Sequence, residues 1–263
     1  MAFLNAAFYR FTPLDDASAW AARLRKELAG HEVRGTLIFA PEGVNGFIAG
    51  AENAVRGFIA GLKAHAPFAD LTAKESVSED IPFEKLCFKV KPEIVTFRVP
   101  EFDSLKAEAP NLTPAELCRW YEEGEDFLVL DTRNEYEVKL GAFKGAHSLN
   151  LKQFVDFPAA IEALPPEWKT KKILTYCTGG IRCEKAAPYM RSRGFDAYQL
   201  QGGILKHFEE EGGKHWEGEC FVFDQRVALR PDLLPSGAKL CAHCQGPVQA
   251  VAALCPHCGR EKE

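Results

Sequence analysis

One ten-residue stretch, Tyr176-Cys-Thr-Gly-Gly-Ile-Arg-Cys-Glu-Lys185, brings a thiol, two glycines and a guanidinium close together in the chain. Cys177 follows the short apolar run 172–176, which reads as a buried strand, and a helical pattern at 183–193 comes after it. Open α/β sheets place their ligands beyond the carboxyl ends of such strands. Gly179 and Gly180, between Thr178 and Ile181, allow successive amides to turn inward as an anion-binding nest. The start of the helix and Arg182 add positive charge at the same place. All three terms favour thiolate over thiol, the form a nucleophilic cysteine needs. They would stabilise a persulfide on that sulfur equally well. The alternative is a core cysteine beside an ordinary turn.

Cys183, six positions on and one place into the helix, has two readings. It can resolve an oxidised or persulfidated Cys177 as a disulfide, or it is a small residue packing the first turn. Near the end, Cys241-Ala-His-Cys244 and Cys255-Pro-His-Cys258 form paired knuckles. That is the spacing of a closed, structural four-thiolate zinc site. A tail so short cannot bury a core, so a metal staple explains how it folds. His243 and His257 are substitute ligands, and a redox-labile thiol tail is the other possibility.

These residues belong to a chain of 263 residues with nine cysteines. An odd count without an export signal excludes a disulfide framework and predicts reduced thiols in a cytoplasmic protein. Cys220 reads as packing, with an approach to the Cys177 site as its alternative, and Cys87 and Cys118 read as core. The net charge of −5 excludes a generally basic nucleic-acid coat, so any such partner needs a local patch. No apolar run reaches membrane-span length. Neither a dinucleotide fingerprint for flavin or NAD nor a two-His-one-carboxylate cluster is present.

At about 150 residues per domain, the length predicts one to two and a half domains. Strands at 2–9, 35–40 and 47–49, helices at 17–29 and 51–65, and strand-like runs at 70–74 and 86–97 give the order βαββαβ. That order predicts a ferredoxin-like α+β domain over 1–99. Asp15 or Asp16 caps the first helix and Gly30 closes it. Pro100 to Pro110 reads as a linker. Thr113-Pro-Ala-Glu116 is a capping box. Apolar strands at 127–130 and 172–176, with helical patterns at 151–163, 183–193 and 204–211, predict a doubly wound parallel sheet over 112–215. Residues 216–263 form a C-terminal extension ending in a zinc-ribbon-like tail.

The loop Cys177 to Arg182, with Leu130-Asp-Thr-Arg133, Gly145-Ala-His-Ser and Leu200-Gln-Gly-Gly-Ile204, resembles the active-site apparatus of rhodanese domains. The resemblance implies a cysteine persulfide on Cys177, and it gives Asp131 and Arg133 a supporting role. They would orient the loop or bind a substrate anion; otherwise they are a structural ion pair. Ala40-Pro-Glu-Gly-Val-Asn-Gly46, Asp131 to Glu137, the Cys177 loop and Trp216-Glu-Gly-Glu-Cys-Phe-Val-Phe-Asp224 occur in that order. Together, over roughly 2–258, they resemble the bacterial rhodanese-like tRNA uridine hydroxylases. This implies oxygen-dependent conversion of uridine 34 to 5-hydroxyuridine, with Cys177 essential and no evident metal or flavin.

A tRNA anticodon partner requires phosphate contacts, and two basic clusters offer them. One contains Lys169, Lys171, Lys172, Arg182, Lys185, Arg191 and Arg193; the other contains Lys85, Lys89, Lys91 and Arg98. Tyr176, Phe47 and Tyr189 are candidates for stacking a base. A solvated basic surface is the plainer alternative. The loop Glu42 to Gly46 either reaches the active site or is a tight turn. Two other functions remain open: a rhodanese-type sulfurtransferase, and a non-catalytic RNA-binding or regulatory module on a rhodanese scaffold.

Overall fold

The apolar run Phe3–Phe11, whose alternate residues Leu4, Ala6 and Phe8 are buried, makes β1, an interior strand of an N-terminal sheet, in a computed structural model that describes residues 2–261. The chain forms two compact units: residues up to Thr96 with Ser104–Lys106, and Phe97–Asp103 with Ala107 onward. In the first unit β1 is followed by α1 (Ala17–Glu27), β2 (Val33–Ala40), β3 (Gly43–Gly50), α2 (Glu52–Lys63), β4 (Ala73–Ser78) and β5 (Leu86–Val90). The sheet order is β4-β1-β3-β2-β5, antiparallel except for the parallel β2–β5 pair. This is the ferredoxin-like arrangement with one added edge strand. Leu4, Ala6 and Phe8 of β1 and Val44 and Ile48 of β3 pack with Leu24 of α1 and Val55, Phe58 and Leu62 of α2.

Asp16 caps α1, accepting from the Ser18 and Ala19 amides at 2.9 Å. The helix ends before Gly30. Leu28 caps it, and its side chain is buried in the core, so the chain must turn there. Pro41 and Glu42 turn β2 into β3, and the Glu42 carboxylate accepts from the Ile94 amide and the Ser104 hydroxyl, each at 2.8 Å. The 41–46 segment is therefore a hairpin whose acid ties down later chain within its own unit.

The second unit runs β6 (Asn111–Leu112), α3 (Pro114–Glu123), β7 (Phe127–Asp131), α4 (Glu135–Val138), β8 (Gly141–Phe143), β9 (Ala146–Ser148), α5 (Phe157–Glu162), β10 (Lys172–Tyr176), α6 (Cys183–Ser192), β11 (Asp196–Leu200) and α7 (Gly203–Glu211). Short strands follow: β12 (Trp216–Gly218), β13 (Cys220–Phe221), β14 (Ala228–Leu229), β15 (Lys239–Leu240) and β16 (Pro247–Val248). The principal sheet, β6-β11-β10-β7-β9, is parallel throughout. Thr113 and Glu116 form the capping box of α3. Leu117 of α3 and Ile204 and Phe208 of α7 pack on Val129, Leu174 and Leu200 of the sheet, while α6 lies against β10 and β11 and touches α5. The 151–163 pattern is a 3-10 turn leading into the shorter α5, whose start is set by Pro158. β12 pairs with β8, β13 with β14, and β15 with β16 in the cysteine tail. Among the described residues, no helix is long and apolar enough to cross a membrane.

Candidate active site

Cys177 leaves the carboxyl end of β10 as the first residue of a loop that closes on the amino end of α6. Its side chain is fully buried. The Gly180 amide donates to Sγ at 3.1 Å, and the left-handed φ of 96° at Gly180 is the conformation that a residue without Cβ adopts at little cost. The loop carbonyls point the other way. The Ile204 and Leu205 amides at the start of α7 donate to the carbonyls of Cys177 and Thr178, each at 3.0 Å. Gly203 makes this possible, because a Cβ there would lie 2.4 Å from the Cys177 carbonyl oxygen and 2.7 Å from the Gly180 nitrogen. One helix start thus holds the Cys177 and Thr178 carbonyls while the Gly180 and Arg182 amides donate to sulfur.

Burial alone would push the Cys177 thiol up. A hydrogen bond from Cys183, the Arg182 charge and donors from Arg182 outweigh it and bring the thiol down to about 5. Burial and the neighbouring Cys177 drive Cys183 the opposite way, far above the usual thiol range. Cys183 is thereby the proton-bearing partner of a Cys177 thiolate. It is buried beside the Thr132 hydroxyl at 3.8 Å.

Arg182 sends its two terminal nitrogens to Glu137, Nη1 to Oε2 at 2.6 Å and Nη2 to Oε1 at 2.8 Å. Glu137 is held in turn: the Asn134 amide donates to Oε2 at 3.1 Å and the Thr178 hydroxyl to Oε1 at 3.4 Å. Motif reading assigned Glu137 no role, although it closes the quoted Asp131 to Glu137 segment. The only sequence signal was its place three residues after Asn134, as the acid of a capping box. The guanidinium of Arg182 also lies 6.0 Å from the ring centre of the exposed Phe223.

Asp131 and Arg133 form a second buried pair under the loop. Arg133 Nη2 meets Asp131 Oδ2 at 2.6 Å, Nε meets Oδ1 at 3.0 Å, and both side chains have no exposed surface. The Tyr176 hydroxyl donates to Asp131 at 2.5 Å, and Arg133 also reaches the Gly141 carbonyl at 2.7 Å. These bonds lock the ends of β7 and β10 together. With no exposed surface, Arg133 is placed to brace the loop rather than to meet a substrate anion.

Cys220 is buried near Thr178, and burial pushes its thiol up to about 12. Cys118 is buried, and Cys87 is half-buried on β5. In the tail, the sulfurs of Cys241, Cys244, Cys255 and Cys258 all lie within 4.8 Å of one another. The Cys241–Cys258 and Cys244–Cys255 separations are 3.8 and 3.6 Å. Zinc–sulfur bonds of about 2.3 Å give tetrahedral edges of about 3.8 Å, so the donor set fits a metal ion.

The sequence-derived RNA contacts are distributed differently. Lys185 is corrected: it is 2% exposed, on the inward face of α6, and cannot belong to a surface patch. Lys171 pairs with Asp126 at 2.7 Å, Lys172 with Glu125, and Arg191 with Asp196 at 3.1 Å, so carboxylates offset this cluster. Lys89 and Lys91, on and just past β5, are exposed. Two of the stacking candidates are core rings. Tyr176 is fully buried against Phe143, and Tyr189 packs on Phe97 and Phe102. Phe47 is half-buried with its ring against Phe83.

Residues 3–94 match the family model described as UPF0176 acylphosphatase like domain, and residues 113–209 match the rhodanese-like domain. The chain is similar to a tRNA uridine(34) hydroxylase of Cupriavidus necator, with 42% identity over 278 aligned positions covering 100% of this chain and 99% of that one. A protein of the same name from Bordetella petrii is 44% identical, covering 90% of this chain and 96% of the relative. Another from Delftia acidovorans is 45% identical, covering 88% and 90%.

Proposed function

The chain belongs to the tRNA uridine(34) hydroxylase family, and from that premise we propose that it converts uridine 34 of tRNA to 5-hydroxyuridine with Cys177 as the catalytic residue. The observation that carries this reading is the buried Cys177 thiolate, held by loop amides and Arg182, in a chain matched along its whole length by these relatives. Replacing the hydrogen at C5 by hydroxyl is a two-electron oxidation: one atom of dioxygen enters the base, and the other leaves as water with two electrons and two protons taken from a cellular thiol or equivalent two-electron reductant.

In this account the residues around Cys177 keep it ionised and fixed. Cys183 donates its proton toward the thiolate, Arg182 supplies charge, Glu137 fixes Arg182, and Asp131 with Arg133 braces the strand ends. Thr178, Gly179, Gly180 and Ile181 form the loop that wraps the sulfur, with the Gly180 amide donating to it. Lys89 and Lys91 supply phosphate contacts to the anticodon region, and Lys171, Lys172 and Arg191 can exchange their carboxylate partners for phosphates. Zinc on Cys241, Cys244, Cys255 and Cys258 staples the tail. The reaction belongs in the cytoplasm, where tRNA and reduced thiols coexist.

Mass analysis of tRNA nucleosides from cells lacking the gene tests the reading. Loss of 5-hydroxyuridine derivatives supports it. Unchanged wobble uridines, together with strong thiosulfate:cyanide sulfur transfer by the pure protein, would favour the sulfurtransferase alternative. That alternative draws on the same loop, whose inward amides and cation would equally hold a persulfide anion.

A further inference from the structure

Phe223 is 59% exposed, while its neighbours Phe221 and Val222 are buried. Its position is not that of a loose loop. It sits in the hairpin between β13 and β14, where the Val222 amide donates to the Val227 carbonyl at 2.9 Å and the Val227 amide to the Asp224 carbonyl at 3.0 Å. Asp224 fixes the tip further, accepting from the Arg226 amide at 2.9 Å and from Nη2 at 2.7 Å. Below the ring, Phe221 meets it edge-on at 5.0 Å, and Phe221 in turn meets Tyr136 at 5.2 Å. On the active-site side lies the Arg182 guanidinium, 6.0 Å from the ring centre. An apolar ring is therefore held in water by a rigid turn beside the cation that serves Cys177.

Isolated exposed apolar side chains are common and need no explanation. The placement of this one is what calls for an occupant. Single-stranded RNA is read by splaying a base onto an aromatic face, and every base offers a π-face to such a platform. The two buried tyrosines considered from sequence cannot serve, because Tyr176 and Tyr189 are enclosed in the core.

We infer that Phe223 is the stacking platform for the target pyrimidine base, positioning uridine 34 beside the Arg182 and Cys177 loop. The inference rests on the tRNA reading above and names the residue that would hold the base. Phe223 is a positioning residue: it makes no bond in the reaction, and its contribution is to keep the unstacked base over the loop.

The test uses the full chain and a labelled anticodon stem-loop RNA carrying either uridine or an abasic site at position 34, with affinities read by fluorescence anisotropy. Wild type should prefer the uridine RNA by on the order of tenfold, the scale of one base–aromatic stack. Phe223→Leu should bind both RNAs alike, and Phe223→Trp should restore the preference. The thiolate absorbance of Cys177 should titrate at the same pH in Phe223→Leu as in wild type. A wild-type preference that survives in Phe223→Leu overturns the proposal, as does a shift of the Cys177 titration that accompanies the loss. If wild type binds neither RNA, the tRNA reading itself fails, a result distinct from either of these.

Discussion

Glu137 takes both terminal nitrogens of Arg182, at 2.6 and 2.8 Å, across 45 residues of sequence. Glu137 is fully buried and the Arg182 side chain is 7% exposed. The cation whose charge acts on the Cys177 sulfur is thus geometrically fixed by an acid that also accepts from Thr178 of the loop. Removing one partner of a buried pair leaves an uncompensated charge, which costs far more than the pair contributes in net stability. Glu137→Ala should lower the unfolding free energy by about 3–5 kcal/mol, measured by urea denaturation. A loss below about 1 kcal/mol would show that the pair is not buried in solution.

Arg182 and Cys183 act on Cys177 in the same direction. Arg182→Leu and Cys183→Ala should each raise the pH at which thiolate absorbance appears, by about 1–3 units for loss of an adjacent opposite charge and less for loss of one hydrogen bond. Glu137→Gln should move it the other way, since Arg182 then acts unopposed. Titration of each variant against its Cys177→Ser counterpart isolates the one sulfur. A fall on removing Arg182 would contradict the assignment.

The depressed Cys177 value also makes stability depend on pH. A folded value near 5 against an ordinary thiol near 9 means the stabilisation is fully present above about 9 and is lost as pH falls through about 5. The stability difference between wild type and Cys177→Ser should therefore narrow from alkaline pH toward 5. A difference that widens on acidification would mean that the thiol is neutral in the folded protein.

Gly202 and Gly203 have similar left-handed φ values of 73° and 67° but different surroundings. A Cβ on Gly202 meets the Lys206 side chain, whose own Cβ lies 2.6 Å away, whereas one on Gly203 meets the Cys177 carbonyl oxygen at 2.4 Å. Gly202→Ala should cost about 1–2 kcal/mol for its left-handed backbone conformation, plus a local shift of Lys206, and leave the Cys177 loop in place. Gly203→Ala should displace the loop, lower tRNA hydroxylation by more than tenfold and cost more in thermal unfolding. Equal effects of the two substitutions would remove the close-approach argument.

The purified chain should contain one zinc ion by elemental analysis, and Cys244→Ser should abolish it. Since no tail sulfur reaches Cys177 in the proposed account, zinc removal should release the tail to proteolysis while leaving the Cys177 titration unchanged. A tail that stays protease-resistant without metal would favour the redox-thiol alternative.

Much of the fold was legible because its signals are local. The Thr113 to Glu116 box, the Asp16 cap and the apolar runs of β7 and β10 each declare themselves within a few residues. The Cys177 loop was legible for the same reason, since thiol, glycines and arginine are contiguous. Pairings across long sequence distances were not. Glu137 meets Arg182, and Gly203 meets the Cys177 carbonyl, only after the sheet brings their loops to one edge. Lys185 misled because a charge count ignores which side of α6 faces inward. Asp131 and Arg133 were read as supporting the loop, and their burial determines how.

The most direct test complements cells lacking the gene with wild type or Cys177→Ser, grows them under heavy-isotope dioxygen, and measures the mass of anticodon nucleosides. The account predicts labelled 5-hydroxyuridine at position 34 with wild type and unmodified uridine with Cys177→Ser. Full modification by Cys177→Ser, or unmodified uridine 34 with wild type, would contradict it.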